Sequence, residues 1–169
     1  ELRVGIGTTV NDPDLEIGYT IKQLGTNNSG TLTGFAGSCT SDLTITNAGV
    51  GYTPSTNGFT YTGVALTAIT GQGINATADI TINTGVAIAA TINAGGSGYV
   101  IGDVLTPIQI GNNTLGAGIQ LSVNEIQGNN TLIIDDVQGT FTTNSAYPLY
   151  YVNAAGITTE MNTAQSNPV

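Results

Sequence analysis

The residue types that most often carry enzyme chemistry are nearly absent from this chain. It has no histidine, one cysteine and two cationic side chains, Arg3 and Lys22, against eleven carboxylates. Histidine is the usual general base, lysine forms Schiff bases and arginine holds phosphoryl groups, so most covalent and acid–base mechanisms lack their usual residues. We therefore expect a protein that is not an enzyme, with no catalytic residue, no cofactor and no metal site.

The single thiol, Cys39, lies in the string Gly37-Ser38-Cys39-Thr40. A reactive thiolate needs an electropositive neighbour, which this chain can hardly supply. One cysteine also cannot form a disulfide within the chain. The sequence predicts a buried or bystander cysteine that is not a nucleophile.

Two groups of carboxylates have other possible uses. Asp12, Asp14 and Glu16 alternate along an extended segment and could offer oxygens to Ca²⁺, although Asp-Pro-Asp is also an ordinary turn. Asp135 and Asp136 end an apolar strand, where adjacent side chains point to opposite faces. A polysaccharide depolymerase would have to bring its two acids together from distant strands. The sequence leaves the calcium site open and gives a depolymerase little support.

Overall charge and composition exclude further classes. The formal net charge is -9, so no basic surface can form against a phosphate backbone and nucleic acid binding is not expected. No apolar run approaches the ~18 residues of a membrane helix. Because the chain begins with Glu1 rather than Met, we expect it to be processed, truncated or part of a longer protein.

Short alternating segments predict an all-β fold. Polar and apolar residues alternate in Asp79-Ile80-Thr81-Ile82 and in Gln120-Leu121-Ser122-Val123. Gly, Asn or Thr interrupts every candidate helix. Clusters of Gly, Asn, Ser and Pro bound the predicted strands, which are 15–23, 42–46, 59–62, 65–69, 76–82, 87–92, 104–110, 118–123, 131–137 and 149–153.

An internal repeat organises the middle of the chain. The string from Thr44 to Tyr52 returns, with small shifts in spacing, from Thr91 to Tyr99. Each copy is followed, after a loop and a strand, by an alternating strand, at 76–82 or at 117–123. Glycine before tyrosine predicts a tight bend with positive φ and a ring folded over the sheet. We expect two superimposable β units with the two tyrosines in equivalent positions.

The diverged copies and their unequal loops favour antiparallel, sandwich-like β modules with an internal duplication. The alternative is a β-solenoid or an intertwined fibre, although solenoids usually need three or more similar coils. We expect an entry segment with a β-strand at 1–40, a duplicated Gly-Tyr repeat region at 41–127 and a small terminal β module at 128–169.

Four strings carry a resemblance to a known group of proteins: Arg3 to Thr9, Ile45 to Pro54, Phe59 to Leu66 and Gly95 to Leu105. They resemble repeats of virion structural proteins, of tail-fibre or baseplate type, from T4-like phages that infect marine cyanobacteria. The resemblance implies a structural component of a phage particle, in a fibre, baseplate or surface decoration. It also implies a virion location outside the cell, sister chains or other virion proteins as partners, and a role in host attachment.

The main alternative is a carbohydrate-binding adhesin of a bacterial cell surface. Tyrosines, among them Tyr147, Tyr150 and Tyr151, would then stack on sugars of a host surface glycan. In either case we expect a homo-oligomer, because many short strands leave open edges and the lysines that usually guard such edges are missing.

Overall fold

The computed structural model describes residues 1–5, 15–40, 43–53, 57–112, 116–141, 148–161 and 167–168. Within these ranges the chain forms strands and turns without a helix, and the strands belong to two sheets whose described pairings are antiparallel. The predicted all-β class with antiparallel modules is confirmed. Of the described residues, none forms a helix that could cross a membrane.

The strands of the described residues are β1 (Leu2–Gly5), β2 (Thr20–Gln23), β3 (Ser29–Cys39), β4 (Leu43–Val50), β5 (Phe59–Ala68), β6 (Ile74–Asn83), β7 (Val86–Ser97), β8 (Val104–Pro107), β9 (Ala117–Val123), β10 (Ile126–Gln138), β11 (Leu149–Val152), β12 (Thr158–Glu160) and β13 (Asn167–Pro168). The seven-stranded sheet has the order β12-β11-β2-β3-β10-β1-β13, and the six-stranded sheet has the order β4-β9-β8-β5-β6-β7.

The chain divides into two compact units. The first unit combines residues 1–36 with residues 128–169, and its core includes Leu32, Leu132 and Tyr151. The second unit is continuous, from Gly37 to Gln127, and contains the six-stranded sheet. The division into segments 1–40, 41–127 and 128–169 stays a prediction about organisation along the chain.

Several strands differ from the sequence prediction, which had no strand at β1, β3, β12 or β13. The three glycines of β3 give weak β signals. In β3, Gly30 lies so close to Ile134 that an added Cβ would overlap that side chain, so glycine is needed there for packing. The strand predicted from Leu15 begins only at Thr20, because the chain turns at Gly18, where φ is +97°.

The two copies of the repeat pair crosswise in the second unit. The first strand of copy one, β4, pairs with the last strand of copy two, β9, while β6 of copy one pairs with β7 of copy two. The registers correspond, since Val50 faces Ala117 in one ladder and Ser97 faces Ile74 in the other. Each copy therefore completes the ladder of the other.

The order of the six strands is consistent with a pseudo-two-fold axis between β5 and β8. If β4, β5 and β6 are exchanged with β7, β8 and β9, respectively, the sheet keeps the same strand order, read from its opposite end. Backbone hydrogen bonds follow the same relation: the N–H of Ile69 donates to Val104 O over 2.7 Å, and the N–H of Ile108 donates to Ala65 O over 2.9 Å. The second unit is thus an interlocked duplication.

The two end strands of this sheet, β4 and β7, lie against each other. A backbone bond of 3.1 Å from the N–H of Tyr52 to Gly85 O joins the end of β4 to the turn before β7, and a bond of 2.9 Å from the N–H of Tyr99 to Gly37 O joins the end of β7 to β3. The sheet therefore curls around a core that includes Ile80. Exposed edges are consequently a weak reason to expect self-association through this sheet.

Tyr99, the aromatic residue of the second Gly-Tyr pair, closes over the start of β6. Its ring lies directly on Gly73, where any Cβ would overlap it. Its hydroxyl accepts a hydrogen bond of 3.3 Å from the N–H of Ala76. Burial raises the pKa of Tyr99 above its usual value, so the ring acts as a neutral clamp on the strand.

Tyr52 occupies the equivalent position in the other copy. Its ring lies directly on Gly116, the residue before β9, and its hydroxyl has a backbone hydrogen bond with Ile119. Burial raises the pKa of Tyr52 as well. The predicted equivalence of the two tyrosines is confirmed, with the difference that each ring clamps a strand of the opposite copy.

Candidate functional site

An open cleft of about 490 Å³ lies on the second unit, lined by Thr53, Phe59, Tyr61, Gly111 and Asn112. Phe59 and Tyr61 are two positions apart in β5, so both side chains point to the same face of the sheet. The cleft is therefore built on a strand and floored by two aromatic rings.

The Tyr61 ring is held in place from three sides. It meets Phe59 edge-to-face, with ring centroids 4.8 Å apart and planes at 68°. Its hydroxyl donates a 2.8 Å hydrogen bond to Thr53 O. Gly111, with φ +52°, packs so closely that an added Cβ would lie 2.6 Å from Cε1 of the ring. Phe59 remains 54% exposed, so part of this side chain is available for contact.

The aromatic pair belongs to one copy of the repeat. The half of β5 that carries it pairs with β6 beyond a bulge, with Phe59 opposite Ile82 and Tyr61 opposite Ile80. The counterpart strand, β8, begins only at Val104 and lacks this half. The cleft thus departs from the internal symmetry of the unit.

The described lining of the cleft carries no charged side chain. It offers an exposed aromatic side chain, the side-chain amide of Asn112 and backbone polar groups beside it. Aromatic faces pack on apolar surfaces, and amides hydrogen-bond hydroxyls in either direction. The arrangement suits an uncharged, hydroxyl-rich ligand.

Cys39 is buried, as the sequence predicted, with 1% of its surface exposed. Burial raises the pKa of its thiol to about 11, and the nearby Asp103 carboxylate adds to the rise. Asp103 is itself buried and accepts a 3.0 Å hydrogen bond from the N–H of Val100. The thiol is therefore protonated at neutral pH, which is the opposite of what a nucleophile needs.

The structure describes only some of the candidate carboxylates. Asp12 and Asp14 lie outside the described residues, and Glu16 is exposed. Asp135 is half-buried and Asp136 is exposed with φ +52°. Among the residues that the structure describes, no three His, Cys, Asp or Glu side chains lie close enough to hold a metal ion.

The tyrosines proposed for sugar stacking are placed differently from the prediction. Tyr151 is only 2% exposed and stacks on Tyr19 at 5.8 Å, so it belongs to the core of the first unit and cannot bind a sugar. Tyr150 is half-buried, and Tyr147 lies outside the described residues. The sequence reasoning missed Phe59 and Tyr61 as a site. Their Phe-x-Tyr alternation was the available signal, since it places two rings on one face.

Comparison of the chain with protein-family models, with curated proteins and with solved structures returned no match.

Proposed function

We propose that this chain is a non-enzymatic structural module of a phage particle, in a tail fibre, baseplate or surface decoration. It works in the virion, outside the cell, and packs against sister chains or other virion proteins. The observation that carries the proposal is the crosswise pairing of the two repeats, β4 with β9 and β6 with β7. Unfolding of either copy breaks strand ladders that both copies share, and this makes unfolding slow. A particle that must persist outside a cell depends on slow unfolding of this kind.

Two further observations support this proposal. The strings that resemble phage structural repeats, around 45–53, 59–66 and 95–105, supply strands and bends of the interlocked sheet. Charged residues make up only 8% of the chain, so its stability depends little on surface ion pairs, which salt screens. The stability of such a protein suits salt water.

The proposal is tested by mass spectrometry of particles purified from lysates of infected marine cyanobacteria. Trypsin can cut only after Arg3 and Lys22 and leaves residues 23–169 in one piece, so chymotrypsin is the enzyme to use. We expect peptides of this chain to follow intact particles through a density gradient, in constant ratio to the capsid protein. Peptides found only in the soluble fraction would contradict a structural role in the particle.

The second candidate function is binding of a neutral host glycan, and the exposed Phe59 side chain in the uncharged cleft favours it. A glycan array probed with the whole chain tests it directly. We expect Phe59→Ala to abolish the signal, whereas Ile88→Ala, which removes another exposed apolar side chain of the same sheet, leaves the signal unchanged. A wild-type chain that binds no glycan would remove this candidate and leave the structural proposal standing.

A further inference from the structure

The turn between β6 and β7 has a strained backbone. Thr84 has φ +49° and Gly85 has φ +83°, which is the pattern of a two-residue hairpin turn of type I′. This turn strongly prefers Asn, Asp or Gly at both positions. Threonine is branched at Cβ and is an outlier at positive φ. The hairpin is thus closed by a residue that resists the required conformation.

The same turn divides the chain into two halves, 1–83 and 86–169, and both units draw on both halves. The first unit takes 1–36 from one half and 128–169 from the other, and the second unit takes 37–83 and 86–127. In the six-stranded sheet, three ladders join the halves: β4 with β9, β5 with β8 and β6 with β7.

We propose that the chain exchanges halves reciprocally with a second copy of itself, with Thr84 and Gly85 as the hinge. When the turn opens, β6 and β7 become successive parts of one extended segment. Residues 1–83 of one chain then pair with residues 86–169 of the other. Every ladder between the halves can form again between chains, because the partner is identical, and this is the ordinary route of domain swapping.

The balance between the closed and exchanged forms is set at the hinge. Opening releases the strain at Thr84 in both chains and gives up the hydrogen bond from the N–H of Tyr52 to Gly85 O. Short, strained hinge loops favour exchange in this way. The proposal holds whether or not the chain belongs to a particle, since it depends only on the turn and on the pairing of the halves.

Hinge variants of the full chain test the proposal by sedimentation after refolding at high protein concentration. Thr84→Asn gives the turn its preferred residue, and we expect the dimer dissociation constant to rise about tenfold or more, since the strain acts twice in each dimer. Gly85→Val cannot easily adopt φ +83° and should favour the dimer. Thr91→Asn, an exposed substitution in the middle of β7, is the control and should leave the constant unchanged.

A disulfide distinguishes exchanged halves from two folded chains that only touch. Thr67 of β5 and Thr106 of β8 face each other across the two halves, within the reach of a disulfide. In a Cys39→Ser background, Thr67→Cys with Thr106→Cys should give a covalent dimer when the isolated dimer is oxidised, and an intrachain bond when the monomer is oxidised. A dimer that yields only intrachain bonds overturns the proposal. So does a chain that stays monomeric even with Gly85→Val.

Discussion

At the scale of single residues, two glycines determine where the rings of Tyr52 and Tyr99 can pack. Gly73 and Gly116 have no Cβ, and this lets Tyr99 and Tyr52 lie flat on the starts of β6 and β9. The sequence predicts bends at Gly51 and Gly98, because each directly precedes its tyrosine in the chain. The glycines under the rings could not, since each lies far from its tyrosine along the chain and becomes its neighbour only when the ladders form.

The reactivity of Cys39 gives a prediction at this scale. Burial raises the pKa of its thiol to about 11, so at pH 8 the thiolate that reacts with a disulfide reagent is scarce and shielded. We expect negligible labelling of the folded chain at pH 8 and one thiol labelled per chain in denaturant. Rapid labelling without denaturant would contradict the burial.

The same shift predicts how stability depends on pH. The pKa of the thiol is near its usual value of 9.0 in the unfolded chain, whereas burial raises the pKa in the folded chain to about 11. The contribution of Cys39 to stability is therefore fully present below pH 9 and is lost as the pH rises from 9 through 11. A comparison with Cys39→Ala by urea denaturation at pH 8 and pH 10.5 isolates this contribution. An equal difference at both pH values would contradict the shift.

At the scale of elements, alternation predicted strands well where one face is buried. The segments of β6 and β9 that alternate in sequence also alternate in burial. The segment from Phe59 to Ala68 was predicted as two strands but is one strand, β5, with a bulge at Gly63, where φ is +62°. The carboxylate of Asp79 accepts the N–H of Gly63 at 2.8 Å and supports the bulge from the neighbouring strand. No local sequence pattern predicts such a contact between neighbouring strands.

The tyrosine clamps give a prediction for these elements. Gly73→Ala and Gly116→Ala each place a Cβ against a buried ring, and we expect each to lower the free energy of unfolding by about 1–3 kcal/mol, as overpacking does. Gly58→Ala is the matched control, since its Cβ would meet no atom closer than 3.8 Å, and it should cost nothing. Urea denaturation measures all three variants. A large cost at one clamp and none at the other would contradict their equivalence.

At the scale of the whole molecule, the repeat was visible in the sequence but its crosswise pairing was not. The strings at 44–52 and 91–99 are alike, and so are the strands at 76–82 and 117–123. In-line and crosswise pairing therefore bring together the same kinds of residues, and the sequence favours neither. The loops and the path of the whole chain determine whether the repeats pair in line or crosswise. The cleft lined by Phe59 could not be predicted from the sequence for a related reason, because its lining residues come from segments far apart in the chain.

The central claim is that the two repeats interlock, and engineered disulfides test it most directly. In a Cys39→Ser background at low protein concentration, oxidation should link Thr44→Cys to Ser122→Cys and Asp79→Cys to Thr91→Cys, since these positions face each other in the two ladders. The pair Thr44→Cys and Asp79→Cys should remain unlinked, because it would form only if copy one paired with itself. Efficient linkage of that third pair, with failure of the other two, would contradict the interlocked arrangement.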